Sequence, residues 1–303
     1  MMFIVKHRKV FFAITGTIVA LALGALIFFG LHQGTDFTGG TLVQVKYEKG
    51  RPDAKVLSLT LDEAGFKGYS LRGAGENDYI LRTGSLTNEM RSSLPATFSV
   101  HGGFPASISE LTEVGPTVGL ELRNKAIIAL GLVMLAILLF IAFAFRKVSQ
   151  PVSSWIYGLI ALVTLVHDVI VPVGFYAALG YFLGAQVDTL FVTAILTVLG
   201  FSIHDTIVVF DRVRENLRVN QERGRREDFA ETAGRSLGQT FVRSINTSLT
   251  VLITLLALFF LGPASTKDFA LTLLVGIIAG TYSSIFLATP LLVSTERYFA
   301  NRR

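Results

Sequence analysis

The 303-residue sequence contains no cysteine, which excludes disulfides, thiol nucleophiles and thiolate metal sites. Charge is scarce as well. Only 16% of residues are Asp, Glu, Lys or Arg, against 51% hydrophobic, and the mean hydropathy is +0.57. A soluble domain carries about 25% charged residues, so this composition belongs in lipid. Several catalytic signatures are also missing: the Gly-Lys-Ser/Thr ending of a P-loop, His-Glu-x-x-His, a Gly-x-Ser-Gly nucleophile and paired aspartates in a Gly-x-Gly-Asp setting. No His pair has the i, i+4 spacing of a helical metal site. ATP hydrolysis, intramembrane proteolysis and metal chemistry therefore lack their residues. No enzyme activity, cofactor or metal is expected.

What the sequence does have is length without charge. An apolar helix needs about 20 residues to cross the hydrocarbon core. Six spans meet this, running from Val10 to Leu31, Ala126 to Phe145, Val152 to Leu179, Thr189 to Phe210, Ser236 to Leu261 and Phe269 to Ser294. The first is too long an apolar run for a cleaved signal peptide and has no small-residue cleavage site. The apolar stretch from Val152 to Val187 is long for one helix and short for two. The positive-inside bias decides for one. A single crossing puts Lys6, Arg8, Lys9, Arg146, Lys147, the Arg-rich loop from Asp211 to Arg235 (Arg226 included) and Arg297, Arg302 and Arg303 on one side, read as cytoplasmic. The net charge of +5 and pI near 9.5 then describe topology, and nucleic-acid binding is not needed to explain them. The expected organisation is a cytoplasmic N-terminus and first helix at 1–31, an exported α+β domain at 32–123, and helices two to six at 124–303 with a basic cytoplasmic loop at about 211–235 and a short cytoplasmic tail.

The exported segment shows strand alternation at Thr41, Val43, Val45 and Tyr47. Asp53 suits the cap of a helix that stops at Gly65. Strands are expected near Tyr69 to Arg72 and Asp78 to Arg82, a second helix from Thr87 to before Pro95, and a last strand from Ala106 to Glu113. The order β-α-β-β-α-β is that of a ferredoxin-like unit.

Ionisable groups inside the spans are costly and mark function or pairing. The fourth span carries His204 and Asp205, and the third carries the similar doublet His167 and Asp168. On the fifth span Gln239, Arg243, Asn246, Thr247, Thr250 and Thr254 share one helical face. Arg243 falls at nearly the depth of Asp205 on an adjacent antiparallel helix. Two readings stay open: a buried ion pair that fastens the helices, or a protonatable switch with the polar stripe as a hydrated path. Each histidine is likewise either a structural hydrogen-bond partner or a relay. Gly16, Ala20 and Gly24, and Gly276, Gly280, Ser284 and Ala288, recur every four residues as in close helix packing.

With these residues in view, the chain resembles the SecF family of protein-export membrane subunits along its whole length. The likeness rests on Gly34 to Thr41, including Asp36, Gly39 and Gly40, and on Gly115-Pro116 leading to Leu122. It also rests on His167-Asp168, on GFSIHDTIVVFDRVREN from Gly200 to Asn216 with Asp211 and Arg212, and on Ser236 to Ser244. The family often has Asn at His204. The resemblance implies half of an RND-superfamily-like bundle, an ion-coupling role for Asp205 and Arg243, and His204, Asp168, His167, Asn246, Thr247 and Gln239 as relay candidates. It implies SecD as heterodimer partner, with the small-residue helix faces as the contact, the SecYEG channel and translocating polypeptide, YidC and YajC, and SecA indirectly. It further implies residence in the bacterial inner membrane and use of the proton-motive force, or sodium in some relatives, for a late, ATP-independent step of translocation. A start at Met1 and an end at Arg303 are expected of a separate subunit. A proton-coupled solute exporter half and a passive scaffold of the Sec complex are the competing readings.

Overall fold

The computed structural model describes residues 1–146, 152–225 and 227–300; Lys147, Arg226, Arg302 and Arg303, used in the charge argument, lie outside the described residues. A short helix α1 (Met2–Lys6) breaks at His7 into the apolar α2 (Arg8–Phe29), which ends at Gly30. One turn, α3 (Thr35–Thr38), leads into β1 (Gly40–Tyr47), α4 (Ala54–Glu63), β2 (Ser70–Ala74), β3 (Asp78–Thr83), α5 (Asn88–Phe98) and β4 (Ala106–Val114). The chain then returns through α6 (Pro116–Ala144), α7 (Ser154–Leu183), α8 (Thr189–Glu222) and α9 (Phe229–Leu261). A 3-10 turn (Ala264–Thr266), α10 (Lys267–Ser283), a π-helical turn (Ser284–Ala288) and α11 (Thr289–Ala300) close the fold.

Six helical segments are long and apolar enough to cross a membrane: α2, α6, α7, α8, α9 and the joined run from Ala264 to Ala300. The long apolar region after Val152 is a single helix that carries Pro172 within it. At 1.5 Å per residue α7 is about 45 Å long, enough to cross once. The segment expected as a loop at 211–235 is mostly helix, because α8 runs to Glu222 and α9 starts at Phe229. Asn216 and Asn220 zip these extensions together: Asn216 donates to Ser236 and Gln239 (both 2.8 Å) and Asn220 to Glu227 (2.6 Å) and Thr232.

The inserted domain is a four-stranded antiparallel sheet in the order β2-β3-β1-β4, the ferredoxin-like arrangement expected from the element order. The alternation read in β1 puts Val43, Val45 and Tyr47 into a core with Leu57, Leu61, Leu81, Leu94 and Phe98, each buried. Asp53 caps α4 by accepting from Lys55 N–H at 2.8 Å, and Thr87 caps α5 through Met90 N–H. Contrary to expectation, α5 continues past Pro95 to Phe98. Proline removes one helix bond, but Arg91 and Pro95 lie on the exposed side while Leu94 and Phe98 hold the buried side in the core.

The glycine pair at the start of β1 answers a close approach. Gly39 and Gly40 have φ of +79° and +133°, and a β-carbon on Gly39 would meet Pro116 at 2.7 Å. Gly115 and Pro116 form the N-cap and first position of α6, where proline is pre-set for a helix. The two chain crossings between domain and bundle thus touch at one point. A parallel bridge between Gln33 and Val187 and a bond from Gly34 N–H to Val187 O (2.8 Å) join the same region to the α7–α8 connection.

Candidate functional site

Asp36 lies at this junction, where Oδ2 accepts from both N–H (2.9 Å) and Oγ1 (2.6 Å) of Thr189, capping the start of α8. Negative charge at a helix N-terminus is stabilising, so this motif aspartate has a structural duty. Asp188 adds a second cap, Oδ1 accepting from Phe191 N–H at 2.8 Å. Burial pushes the Asp188 carboxyl up to about 6, against the lowering by that bond, and the charge of Asp36 adds to the rise. Arg72 of β2 binds Asp268 at the start of α10 through two hydrogen bonds. None of Asp188, Arg72 or Asp268 stood out in the sequence, because contacts between segments distant in the chain leave no local pattern.

Asp205 occupies the middle of α8 and is 3% exposed. Neither its Oδ2 nor the buried Oγ of Ser244 on α9 has a partner in full hydrogen-bond geometry among the described residues, although the Ser244 hydroxyl lies near enough to act on the carboxylate. Unpaired buried oxygen is costly, and a carboxylate in that position is able to accept a proton. Arg243, the residue before Ser244, is exposed from the chain and forms no ion pair with Asp205 within 4 Å among the described residues, though its charge is near enough to act on the carboxylate. A tight salt bridge between the two is therefore not the arrangement here. His204, the residue before Asp205, is exposed as well.

The polar stripe of α9 faces outward. Gln239, Arg243, Asn246, Thr250 and Thr254 are exposed and Thr247 is half-buried. The threonines return their hydroxyls to their own helix, Thr247 to Arg243 O, Thr250 to Asn246 O and Thr254 to Thr250 O. Toward the end of the bundle remote from the domain, Arg243, Gln239, Thr240, Asp211, Arg212 and Glu215 line a cavity of ≈ 210 Å³ between α8 and α9. Asp211 and Arg212 pair with Arg214 (3.0 Å) and Glu215 (2.8 Å).

His167 and Asp168 lie elsewhere, on the side of α8 that meets α7 and α10. Asp168 is fully buried and bonded to His167, Ser202 and Ser283. Ser202, three residues before Asp205, and Ser283 escaped sequence reading because single serines in apolar helices carry no motif. Gly276 and Gly280, expected as a partner contact, are used within the chain, where a β-carbon would strike Val198 and Ser202 of α8. Gly16 and Gly24 of α2 have open space.

Comparison with known proteins agrees with this architecture. The family described as "Protein export membrane protein SecD/SecF, C-terminal" matches residues 97–298, and the "SecD/SecF GG Motif" matches 24–50. The protein translocase subunit SecF of Thermobaculum terrenum is 44% identical over 97% of this chain and 93% of its own length. That of Pseudomonas aeruginosa is 36% identical over 94% and 89%. The crystal structure of SecDF, a translocon-associated membrane protein from Thermus thermophilus, superposes with a TM-score of 0.82 at 34% identity, covering 97% of this chain and 38% of that one. A SecDF structure in a super-membrane-facing form gives 0.65 at 33% identity. Matched from end to end and carrying the glycine-glycine segment at the domain junction, the chain belongs to the SecD/SecF family of protein-export membrane proteins.

Proposed function

We propose that this chain is one half of an ion-driven export motor whose other half is SecD, and that Asp205 is where the driving ion acts. The observation that carries the reading is the α8–α9 face. A carboxylate with an unpaired oxygen lies beside a polar stripe that opens outward. Polar side chains facing lipid at this depth are expensive, so the stripe calls for a second protein surface. SecD is the natural occupant, since the similar Thermus chain is a fused SecDF of which this chain spans 37%. Arg243 then sits between the halves, near enough to bias Asp205 and free to move. Proton uptake would change the charge between the halves and shift their relative position.

In this reading the bundle lies in the bacterial inner membrane with both termini in the cytoplasm. The ferredoxin-like domain on the outer side engages polypeptide emerging from SecYEG, after the ATP-driven stage. The chain performs no bond chemistry. One charge crossing the membrane supplies about 2.3 kcal/mol per 100 mV, which at about 150 mV shifts a two-state equilibrium several-hundred-fold.

The test is gradient-dependent release of an exported protein from vesicles holding the SecD complex, with proton and sodium gradients imposed separately. Asp205→Asn should abolish the stimulation while assembly survives. Arg243→Met should fail as well. Rescue in the double variant Asp205→Asn, Arg243→Met would identify a passive fastening and overturn the reading.

A further inference from the structure

We propose that His167 and Asp168 form a second proton-binding centre, separate from Asp205 and loaded at His167 Nε2 from a cavity between α2, α7 and α11. The Asp168 carboxylate is 0% exposed and has three polar side chains around it. Oδ1 accepts from His167 Nδ1 at 2.7 Å, while Oδ2 accepts from Ser283 Oγ at 2.8 Å and from Ser202 Oγ. An ionised carboxylate only accepts. The single hydrogen of Ser283 Oγ has Gly280 O, at 3.1 Å, as a second acceptor; in the proposed resting state the carboxylate is the anion and the neutral imidazole carries its proton on Nδ1.

That arrangement leaves a charge of minus one buried between helices, and Asp168 has no Lys or Arg ion-pair partner among the described residues. An unneutralised buried charge is strongly unfavourable. One proton on His167 removes it, turning the dyad into an imidazolium–carboxylate pair of net charge zero. The acceptor for that proton is the second ring nitrogen of His167. With Nδ1 committed to Asp168, Nε2 lies on the opposite side of the ring; it is buried, it has no hydrogen-bond partner, and His167 lines a cavity of ≈ 360 Å³. The cavity runs between Phe12, Thr15 and Val19 of α2, Val163 and Val166 of α7, and Leu291 of α11. The balance is one O–H bond broken in a hydronium ion of the medium, which leaves as water, and one N–H bond formed at Nε2.

The surroundings suit a group whose charge alternates. Ser283 is followed directly by the π-helical turn Ser284–Ala288, a distortion found mostly at functional positions in helices. Gly280, one turn before Ser283, is what lets Ser202 of α8 come close enough. The groups facing the dyad are Ser202 of α8, Ser283 of α10, Tyr282, whose ring centroid is 6.2 Å from that of His167, and Thr15 of α2, which bonds the Tyr282 hydroxyl. Asp205 is the nearest carboxylate along α8, but its buried oxygen lies with Ser244. The assignment concerns where a proton binds and stands whether or not a proton gradient drives export.

The experiment is solid-state NMR of the ¹⁵N-histidine-labelled chain assembled with unlabelled SecD, titrated from pH 4 to 10. His167→Gln identifies the resonance among the five histidines. Asp168→Asn should lower the proton affinity of His167 at least about tenfold, because the anion that holds the proton is gone. Ser283→Ala should raise it, because the carboxylate loses a competing donor, and this milder variant keeps the test open if Asp168→Asn fails to assemble. Asp205→Asn should leave it unchanged, which separates this centre from the coupling site. A His167 that does not titrate, opposite signs that do not appear, or an Asp205→Asn shift as large as that of Asp168→Asn would each overturn the proposal.

Discussion

The inserted domain and the membrane bundle are built on different plans. In the domain, large side chains go inside: Tyr47, Leu57, Leu61, Phe66, Leu81, Leu94 and Phe98 are all buried, and the outside is polar. In the bundle, large side chains lie on both sides: Tyr157, Leu165, Tyr176 and Phe210 are buried, Phe28, Phe260 and Leu261 are among the most exposed, and Ser202, Ser236, Ser244, Ser248, Thr272 and Ser283 are buried between the helices. Water drives the first arrangement through the hydrophobic effect. Lipid offers no such force, so helices are held by small residues, close contact and hydroxyl bonds. The rule "large and apolar means core" therefore holds for residues 40–114 and no longer separates inside from outside in the helices around them.

The comparison is broken most severely by enlarging a small bundle residue. Gly276→Leu must displace Val198 and is expected to yield no monodisperse folded chain by size exclusion in detergent, whereas Gly24→Leu, with open space around it, should be recovered as wild type. Next is Leu81→Ala in the domain, where a buried leucine is truncated. It should cost about 2–5 kcal/mol, read as earlier protease cleavage of the domain during heating. Should both glycine variants behave alike, or the leucine variant melt with the wild type, the two-plan description fails.

The junction between the regions carries the pH dependence. Asp188 titrates near 6 in the folded chain against an ordinary value of 3.8, so the folded state binds the proton more tightly than the unfolded one. Its effect on stability is neutral below about pH 4 and increasingly adverse as pH rises through about 6. At about 1.4 kcal/mol per unit this amounts to roughly 2–3 kcal/mol above pH 7. Asp188→Asn retains a competent helix cap and should flatten the decline in melting temperature between about pH 4 and about pH 6 to 7. An unchanged slope would remove Asp188 from the account. Arg72→Ala, which deletes a largely buried pair with Asp268, should cost about 1 kcal/mol or somewhat more and speed amide exchange in β2 more than in β3. The smallest effect belongs to Phe260→Ala, 71% exposed, expected within about 0.5 kcal/mol of wild type; a larger loss would mean the lipid-facing surface also holds the fold.

The sequence made the elements legible where one force dominates locally. Period-two alternation located β1, capping residues at Asp53 and Thr87 located two helices, and uncharged length located six spans. It misplaced the end of α5, because Pro95 was weighed without the core contacts of Leu94 and Phe98 that carry the helix past it. At the site it singled out Asp205, Arg243, His167 and Asp168, since charge in an apolar run is visible in one dimension. It suggested an Asp205–Arg243 pair from depth alone. Depth fixes height along the bundle and leaves rotation about the helix axis open, and that rotation turns Arg243 outward. The serines around Asp168 were invisible for the same reason.

The helix α10 also makes a mechanical connection. Asp268 in its first turn is held by Arg72 of the domain sheet, and Ser283 at its last residue is held by Asp168 in the bundle interior. Fifteen residues of helix separate them, about 22 Å at 1.5 Å per residue. A helix of that length works as a stiff strut, so an axial shift or a turn imposed at the buried carboxylate arrives at the edge of the domain with little loss. Two parts of the chain built for different solvents are thereby fixed to the ends of one rod.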